Sequence, residues 1–415
     1  MADAKFSKGS KVSFDDAWGF INKVGIAAHK YGSTSARLES FLVDLSKSFG
    51  YEGVFRSNPS EIVFGLRETL ESPQRVEVIA TSAPDLNLDK LARLGDLLKE
   101  YSTETMSLKE AWARIDAIEH VQPPWGKFAT MLGYAFVGLG LAALLGAGWL
   151  DLLFATIFSM LVYGIVLLST KLGSAALTWM PLTSAFVVGL LATSLKAFIP
   201  ELNLVLIILS AVAVILPGYT ISLGAGELVA QRVVSGTANL MNGLICLVKQ
   251  IAGSWLGIVV AGSIFALETS GLAAPVEQIW SMVLFPLLLG GLCVVFQVSR
   301  RDFIWAVLVS ATAYLGVLGG SSIMDSNLGN LIGTIVAVVV ANVWARKTER
   351  PTSIVLIPAI VLLVSGSIGF RGLASMAQGD LILGVQQLFQ MFVVAMTILA
   401  GIMIGYTIIK PEKGL

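Results

Sequence analysis

Along the first 128 residues, apolar positions recur at helical or alternating spacing among charged neighbours; beyond them they run together in long uncharged windows. In the first region, Phe14, Ala17, Phe20, Ile21 and Val24 fall on one face of a helix predicted over 13–31. A Gly32-Ser33 break leads into a second helix from about 34 to 49. Strands follow near 52–57, 61–67 and 74–81, where Val76, Val78 and Ala80 alternate with polar residues. Helices near 87–101 and 107–119 complete a small α+β unit, and Ser107 with Glu110 reads as a capping box for the last of them.

Crossing a bilayer takes about 20 apolar residues in helical form. Suitable windows lie at roughly 129–149, 152–170, 178–195, 202–220, 250–267, 278–299, 303–324, 326–345, 351–370 and 381–409. They are continuously apolar rather than alternating, which excludes a β-barrel. The expected fold is a mainly α membrane protein of ten transmembrane helices with a small α+β N-terminal cytoplasmic domain.

Composition sharpens that division. Of the chain's 56 charged side chains, 34 lie in residues 1–128. Net charge is zero, so nothing points to nucleic acid or a strongly charged partner. Cys246 and Cys293 sit in apolar runs and read as small core residues. No metal-ligand spacing is present, and neither a cofactor nor a metal is expected. The N-terminus opens with Lys5, Lys8 and Lys11 and no apolar stretch, so no signal peptide is expected. With the soluble region inside, inner loops and the C-terminal tail carry Lys171, Arg232, Arg300, Arg301, Arg346, Lys347, Arg350, Lys410 and Lys413, whereas outer loops carry Lys196 and Arg371. That excess places both termini in the cytoplasm.

Displacing the membrane region by 148 residues superimposes it on itself: Gly218, Gly224, Gly236 and Gly253 meet Gly366, Gly372, Gly384 and Gly401. Each copy has five crossings, an odd number, so the second is expected to be inverted, in the manner of many secondary transporters. The predicted domains are 1–128, 129–267 and 278–409.

The fourth span ends in Leu216-Pro217-Gly218-Tyr219-Thr220, and the ninth contains the matched Val364-Ser365-Gly366-Ser367. Proline removes a backbone donor and glycine permits bends. Broken backbone at membrane depth survives where protein or a wet cavity satisfies it. Thr220, Ser222, Ser365, Gly366 and Ser367, with Pro217 and Gly218, are therefore candidate solute contacts. Rare polar residues follow each break: Glu227, Arg232, Ser235, Asn239 and Asn242, then Arg371, Asp380, Gln386, Gln387 and Gln390. Asn239 and Asn242 are three apart, as are Gln387 and Gln390, and each pair is expected on one face. Glu227 is the candidate proton carrier, since desolvation raises a carboxylate's affinity for its proton. Arg232 and Arg371 are candidates for a substrate carboxylate.

Several of these stretches resemble the threonine/serine exporter family. Tyr31-Gly32-Ser33-Thr34-Ser35-Ala36-Arg37-Leu38-Glu39 is similar to its N-terminal signature, and the stretch from Arg75 to Ile118, through Leu91-Ala92-Arg93-Leu94 and Ala111-Trp112-Ala113-Arg114, resembles the rest of its soluble domain. Leu216-Pro217-Gly218 with Ser235-Gly236, and Ile357-Pro358-Ala359-Ile360 with Gly366-Ser367-Ile368-Gly369 and Arg371-Gly372-Leu373, resemble its two membrane halves. The resemblance covers about residues 17–409. It implies ten spans, a cytoplasmic N-terminal domain and efflux coupled to the proton gradient. Glu227 stands where the family usually has aspartate, Asn239 where arginine is common, and Ser365 where a second proline–glycine is expected.

The signature also invites a hydrolase reading. That reading needs a nucleophile and base within reach, and the domain offers only His29 and His120 with no GxSxG, HExxH or P-loop. No enzyme is expected; Gly32, Ser33, Arg37 and Glu39 are expected to cap or dock against the membrane region. The leading function is proton-coupled efflux of threonine or serine, with a C4-dicarboxylate exporter next, favoured by Arg232 and Arg371. A channel or a membrane-anchored sensor is the reading from another class. The partners expected are the small solute, protons and the lipid bilayer of a bacterial inner membrane or plasma membrane, with homo-oligomerisation left open.

Overall fold

The structure, a computed structural model, describes residues 12–81, 85–103, 106–266, 271–323, 326–363, 366–377 and 379–410. The N-terminal unit contains α1 (Phe14–Lys30), α2 (Ser35–Ser48), β1 (Glu52–Asn58), β2 (Glu61–Arg67), β3 (Arg75–Ala80), α3 (Leu88–Ser102) and α4 (Leu108–Glu119). Its sheet is antiparallel in the order β1-β2-β3, with Phe55 opposite Phe64 and Val63 opposite Val78. One sheet face packs Phe55, Ile62, Phe64 and Leu66 against Phe20, Leu38, Leu42 and Leu91, all fully buried or nearly so. Burial at that level stabilises by about 1.5–3 kcal/mol per large apolar side chain. Ser13 and Ser107 cap α1 and α4 by accepting from Asp16 N and Glu110 N, so the Ser107 half of the expected capping box is present.

The remaining helices are α5 (Gly126–Leu144), α6 (Trp149–Leu172), α7 (Ser174–Lys196), α8 (Leu204–Ala211), α9 (Gly218–Val229), α10 (Val233–Ile264), α11 (Gln278–Val295), α12 (Phe303–Ile323), α13 (Ser326–Thr348), α14 (Ser353–Leu363), α15 (Gly366–Ala377) and α16 (Leu381–Ile408). Among the described residues, nine stretches are long and apolar enough to cross a membrane, and there are ten if α8 and α9, bent by 60° at the break between them, count as one span. Two sequence expectations shift. The fifth span begins at Val233 rather than near 250. The fourth does not end at Thr220, because Pro217 stands at the N-terminus of a new helix, α9, that runs to Val229.

Glycines set the packing of both halves. A Cβ at Gly224 would meet Leu240 N and Gly236 O; one at Gly372 would meet the counterparts 148 residues on, Leu388 N and Gly384 O. Likewise Gly236 abuts Leu228 N and Gly384 abuts Met376 N. Gly218 and Gly366, themselves a matched pair, meet each other, a Cβ on Gly366 lying 3.1 Å from Gly218 Cα. Helix contacts are reciprocal under the same displacement: α5 lies on α11, while α9 touches α16 and α10 touches α15.

Gly253 approaches α7 so closely that a Cβ would lie 2.2 Å from Leu182 O. Gly253→Ala is therefore expected to lose about 1–3 kcal/mol through forced separation of α7 and α10. Gly164→Ala, where nothing lies within 4 Å, should be neutral. Thermal unfolding of the detergent-solubilised protein compares the two.

The N-terminal unit is anchored at several loops on one side. Leu88 N donates to Phe296 O and Asp89 N to Gln297 O, at 3.1 and 2.8 Å. Asp96 pairs with Arg350, and Trp125 Nε1 donates to Val298 O at 2.7 Å. The turns at the other ends of the helices meet one another: Val276 N donates to Ala147 O, Ala273 N to Glu201 O, and Asn203 N to Asp151 Oδ1.

Candidate functional site

The site begins with a tight reversal between α9 and α10. Gln231 takes φ of 60°, and Arg232 N closes the turn on Glu227 O at 2.8 Å. Because Gly224 and Gly236 carry no side chain, the two helices then run backbone to backbone. That contact lays one face of α10, with Ser235 and Asn239 four residues apart, over Glu227. Glu227 Oε2 accepts from Ser235 Oγ at 2.6 Å and from Asn239 Nδ2 at 2.8 Å. Its Oε1 is buried with no hydrogen-bond partner, and the residue is only 5% exposed. Such an oxygen is costly unless something arrives to satisfy it.

The N-terminal unit completes the site. Ser35 Oγ lies 2.9 Å from Ser235 Oγ. Ser235 spends its one hydroxyl proton on Glu227, so Ser35 donates to Ser235. One turn along α2, Glu39 binds Arg232 at 2.7 Å while also accepting from Ser57 N at 3.0 Å and Arg56 at 3.3 Å. The Ser35/Glu39 face of α2 thus docks on the α9–α10 turn.

A cavity of about 340 Å³ opens between α2, α9, α14 and α16, at the lower end of the range for small-molecule sites. Its walls are largely apolar, from Leu356, Ile357 and Leu399 among others. Against them stand Ser33, Ser222 and Ser353, whose Oγ atoms are buried without partners, together with Glu227 Oε1. Arg37 and Arg232 also line it. Arg232 is engaged by Glu39, whereas the Arg37 side chain makes no ion pair or hydrogen bond among the described residues.

Thus Gly32, Ser33, Arg37, Ser222, Glu227 and Arg232 converge on one cavity, with Glu39 and Asn239 behind it. Other sequence candidates lie elsewhere. Asn242 is exposed although Asn239 is buried, so that pair is split. Gly218, Gly366 and Ser367 line a separate space of about 90 Å³ among Val137, Leu141 and Leu288, and Thr220 lines neither. Pro217 is buried at the start of α9. Arg371 Nε and Gln387 Oε1 are buried without partners outside both spaces, so Arg232 and Arg371 do not form a pair. Gln386 is exposed, Gln390 donates to Asn327 at 2.8 Å, and Asp380 caps α16. Ser365 lies outside the described residues. His29 is buried between the hydroxyls of Ser57 and Thr81, at 3.3 and 3.1 Å, away from the cavity. Sequence reading missed Tyr219, Ser353 and Tyr406 in the lining. Ser33 with Arg37 and Ser35 with Glu39 share a four-residue spacing, and the two-residue offset between the pairs is what turns them to different sides.

A family model described as "Putative threonine/serine exporter" matches residues 19–261. A second, described as "Threonine/Serine exporter, ThrE", matches residues 281–408. The chain belongs to the threonine/serine exporter family. This family chain is similar to the "Pheromone-regulated membrane protein 10" of Kluyveromyces lactis, 23% identical over 88% of this chain and 38% of that protein. The same-named protein of Pichia sorbitophila is 21% identical, over 88% of this chain and 37% of its own length. An uncharacterized protein of Schizosaccharomyces pombe is 23% identical, over 85% and 48% respectively. The chain therefore spans less than half the length of these relatives. All three are fungal, so they lend no support to the bacterial setting expected from sequence; residence in a membrane is supported by the apolar helices. No solved structure matches the chain.

Proposed function

We propose that the chain is a secondary transporter that exports threonine or serine in exchange for protons, through a site built on Glu227. The observation that carries this reading is the cavity itself. In a membrane protein of an exporter family, the residues lining a space of small-molecule size include a glutamate and three serines that each hold a buried side-chain oxygen without a hydrogen-bond partner. Glu227 Oε1 binds either a proton or the solute's ammonium group, never both. Ser222 and Ser353 face the same space and suit a substrate hydroxyl.

Alternating access is assigned to two five-helix halves, 129–267 and 278–409, in opposite orientations, with residues 1–128 as the soluble domain. Supporting this are the matched glycine contacts, the reciprocal α9–α16 and α10–α15 pairings, and the meeting of Gly218 with Gly366. Reciprocal contacts of this kind follow from a two-fold axis. Loops carrying Arg232, Arg300 and Arg350 lie against the soluble domain and its linker, which supports cytoplasmic termini by the positive-inside rule. The dicarboxylate reading has lost the arginine pair that favoured it.

Reconstituted full-length protein should accumulate labelled threonine and serine against a pH gradient, saturably and with counterflow, and succinate poorly. A channel would show no counterflow and a sensor no flux; either result overturns the proposal.

A further inference from the structure

We infer that Arg37, a residue of the soluble domain, binds the carboxylate of the transported solute, so that this domain forms one wall of the transport site. The inference rests on the transporter reading above and assigns the half of the substrate that Glu227 does not explain.

The chain is shaped to present this residue. α1 ends at Lys30, and Gly32 takes φ of 97°, a left-handed conformation that glycine adopts without strain. The reversal sets Thr34 as the N-cap of α2, and the Thr34 side chain makes no capping hydrogen bond. Ser33, Thr34, Ala36 and Arg37 then all line the cavity, so the positive end of a 14-residue helix and a guanidinium face the same space. Both favour an anion.

The helix end does not stand alone. Ser33 is 8% exposed and its Oγ has no partner, and across the cavity Ser222 Oγ and Glu227 Oε1 are in the same condition. Of the cations named from sequence, Arg232 is taken by Glu39 and Arg371 lies outside the cavity. Of the two cations that line the cavity, Arg37 is left as the one not held in an ion pair among the described residues. One free guanidinium and one free carboxylate oxygen on the walls of one cavity match a zwitterion, with carboxylate at Arg37 and ammonium at Glu227. A second carboxylate on the solute would meet Glu227 with like charge.

The docking contacts tie this subsite to the proton site. The chain Ser35 to Ser235 to Glu227 runs from the helix that carries Arg37 to the carboxylate that exchanges protons. Release toward the far side then requires the solute to leave Arg37, so the soluble domain acts in only one of the two access states.

The test uses full-length protein in liposomes, with labelled threonine as substrate and threoninamide, which keeps the ammonium but lacks the carboxylate, as competitor. Arg37→Gln is expected to raise the KM for threonine about 10- to 100-fold, the loss of one charge-assisted contact. It should also erase the wild-type preference for threonine over threoninamide, and Arg37→Lys should restore part of it. Glu39→Gln breaks the docking pair and frees Arg232 but leaves Arg37 in place, so it should keep the preference. Unchanged KM and preference in Arg37→Gln overturn the inference and leave the transporter reading standing. Equal loss of preference in Glu39→Gln also overturns it, because the effect would then be docking. If the wild-type protein moves no threonine or serine, the transporter reading fails and the inference goes with it.

Discussion

Glu227→Gln is expected to abolish acceleration of efflux by a pH gradient, making rates with and without the gradient equal. Replacement by glutamine keeps the shape and retains an acceptor for Ser235 Oγ and Asn239 Nδ2, which now hold Oε2 at 2.6 and 2.8 Å. What it removes is the choice between proton and ammonium at Oε1. A carboxylate that binds one or the other couples the two fluxes by exclusion, with no further device; a neutral amide binds neither well. Apparent affinity for threonine should fall as well, by about 10- to 100-fold, the usual cost of losing a charged hydrogen-bond partner. Glu227→Asp should keep the gradient response with altered KM, since the charge survives and only its reach shortens. A Glu227→Gln protein still driven by pH would remove Glu227 from the coupling mechanism.

Most of the fold is legible in sequence because bilayer thickness and core packing both write strong periodic signals. The N-terminal helices and strands fall within a residue or two of their expected ends, since buried residues such as Ala17, Phe20, Ile21 and Val24 in α1 and Ile62, Phe64 and Leu66 in β2 repeat with the period of their element. The fifth span is the exception. Asn239, Asn242, Lys249 and Gln250 dilute the apolar signal of its first half, yet α10 runs from Val233, because Gly224 and Gly236 let it zip onto α9 and Asn239 finds Glu227. A hydropathy window registers polarity but not its satisfaction.

The site is legible by halves. Ser222, Glu227 and Arg232 are conspicuous as polar residues beside a broken span, and they do meet. The same reasoning over-counts: Asn242 and Gln386 have the right composition and the wrong face, and Arg371 the wrong helix. The sequence offers Gly32, Ser33, Arg37 and Glu39 as residues that cap or dock, but not what they dock on, and for a different reason. Glu39 and Arg232 are 193 residues apart, and nothing local to either announces the other. Only the docked structure shows that Ser33, just before α2, and Arg37 in its first turn line the cavity while the Ser35/Glu39 face of α2 packs on the α9–α10 turn.

That docking rests on a second anchor whose loss should be the most destabilising change in the molecule. Arg350, in the turn between α13 and α14, donates Nη1 to Asp302 and Nη2 to Asp96, the latter at 2.5 Å. The Arg350 and Asp302 side chains are 7% and 3% exposed. Burial alone would weaken the hold of Arg350 on its proton, but the two carboxylates outweigh it and raise its pKa. The guanidinium therefore joins α3 to the α11–α12 and α13–α14 loops. Arg350→Ala strands Asp302 as a buried charge whose remaining side-chain donor is Ser299 Oγ at 2.7 Å. Breaking one side of a buried pair costs about 3–5 kcal/mol. The expected result is a large fall in thermal stability in detergent, with faster proteolysis of the linker at 120–125 as the soluble domain lifts away. Arg350→Ala combined with Asp302→Asn should recover part of the loss, because the stranded charge is gone. Lys99 with Glu349 is the internal control: both side chains are about half exposed, so Lys99→Ala should change stability by less than about 1 kcal/mol. If Arg350→Ala were as mild as Lys99→Ala, the anchor would lie elsewhere, and the soluble domain would be held to the membrane half chiefly by the contacts that surround Glu227.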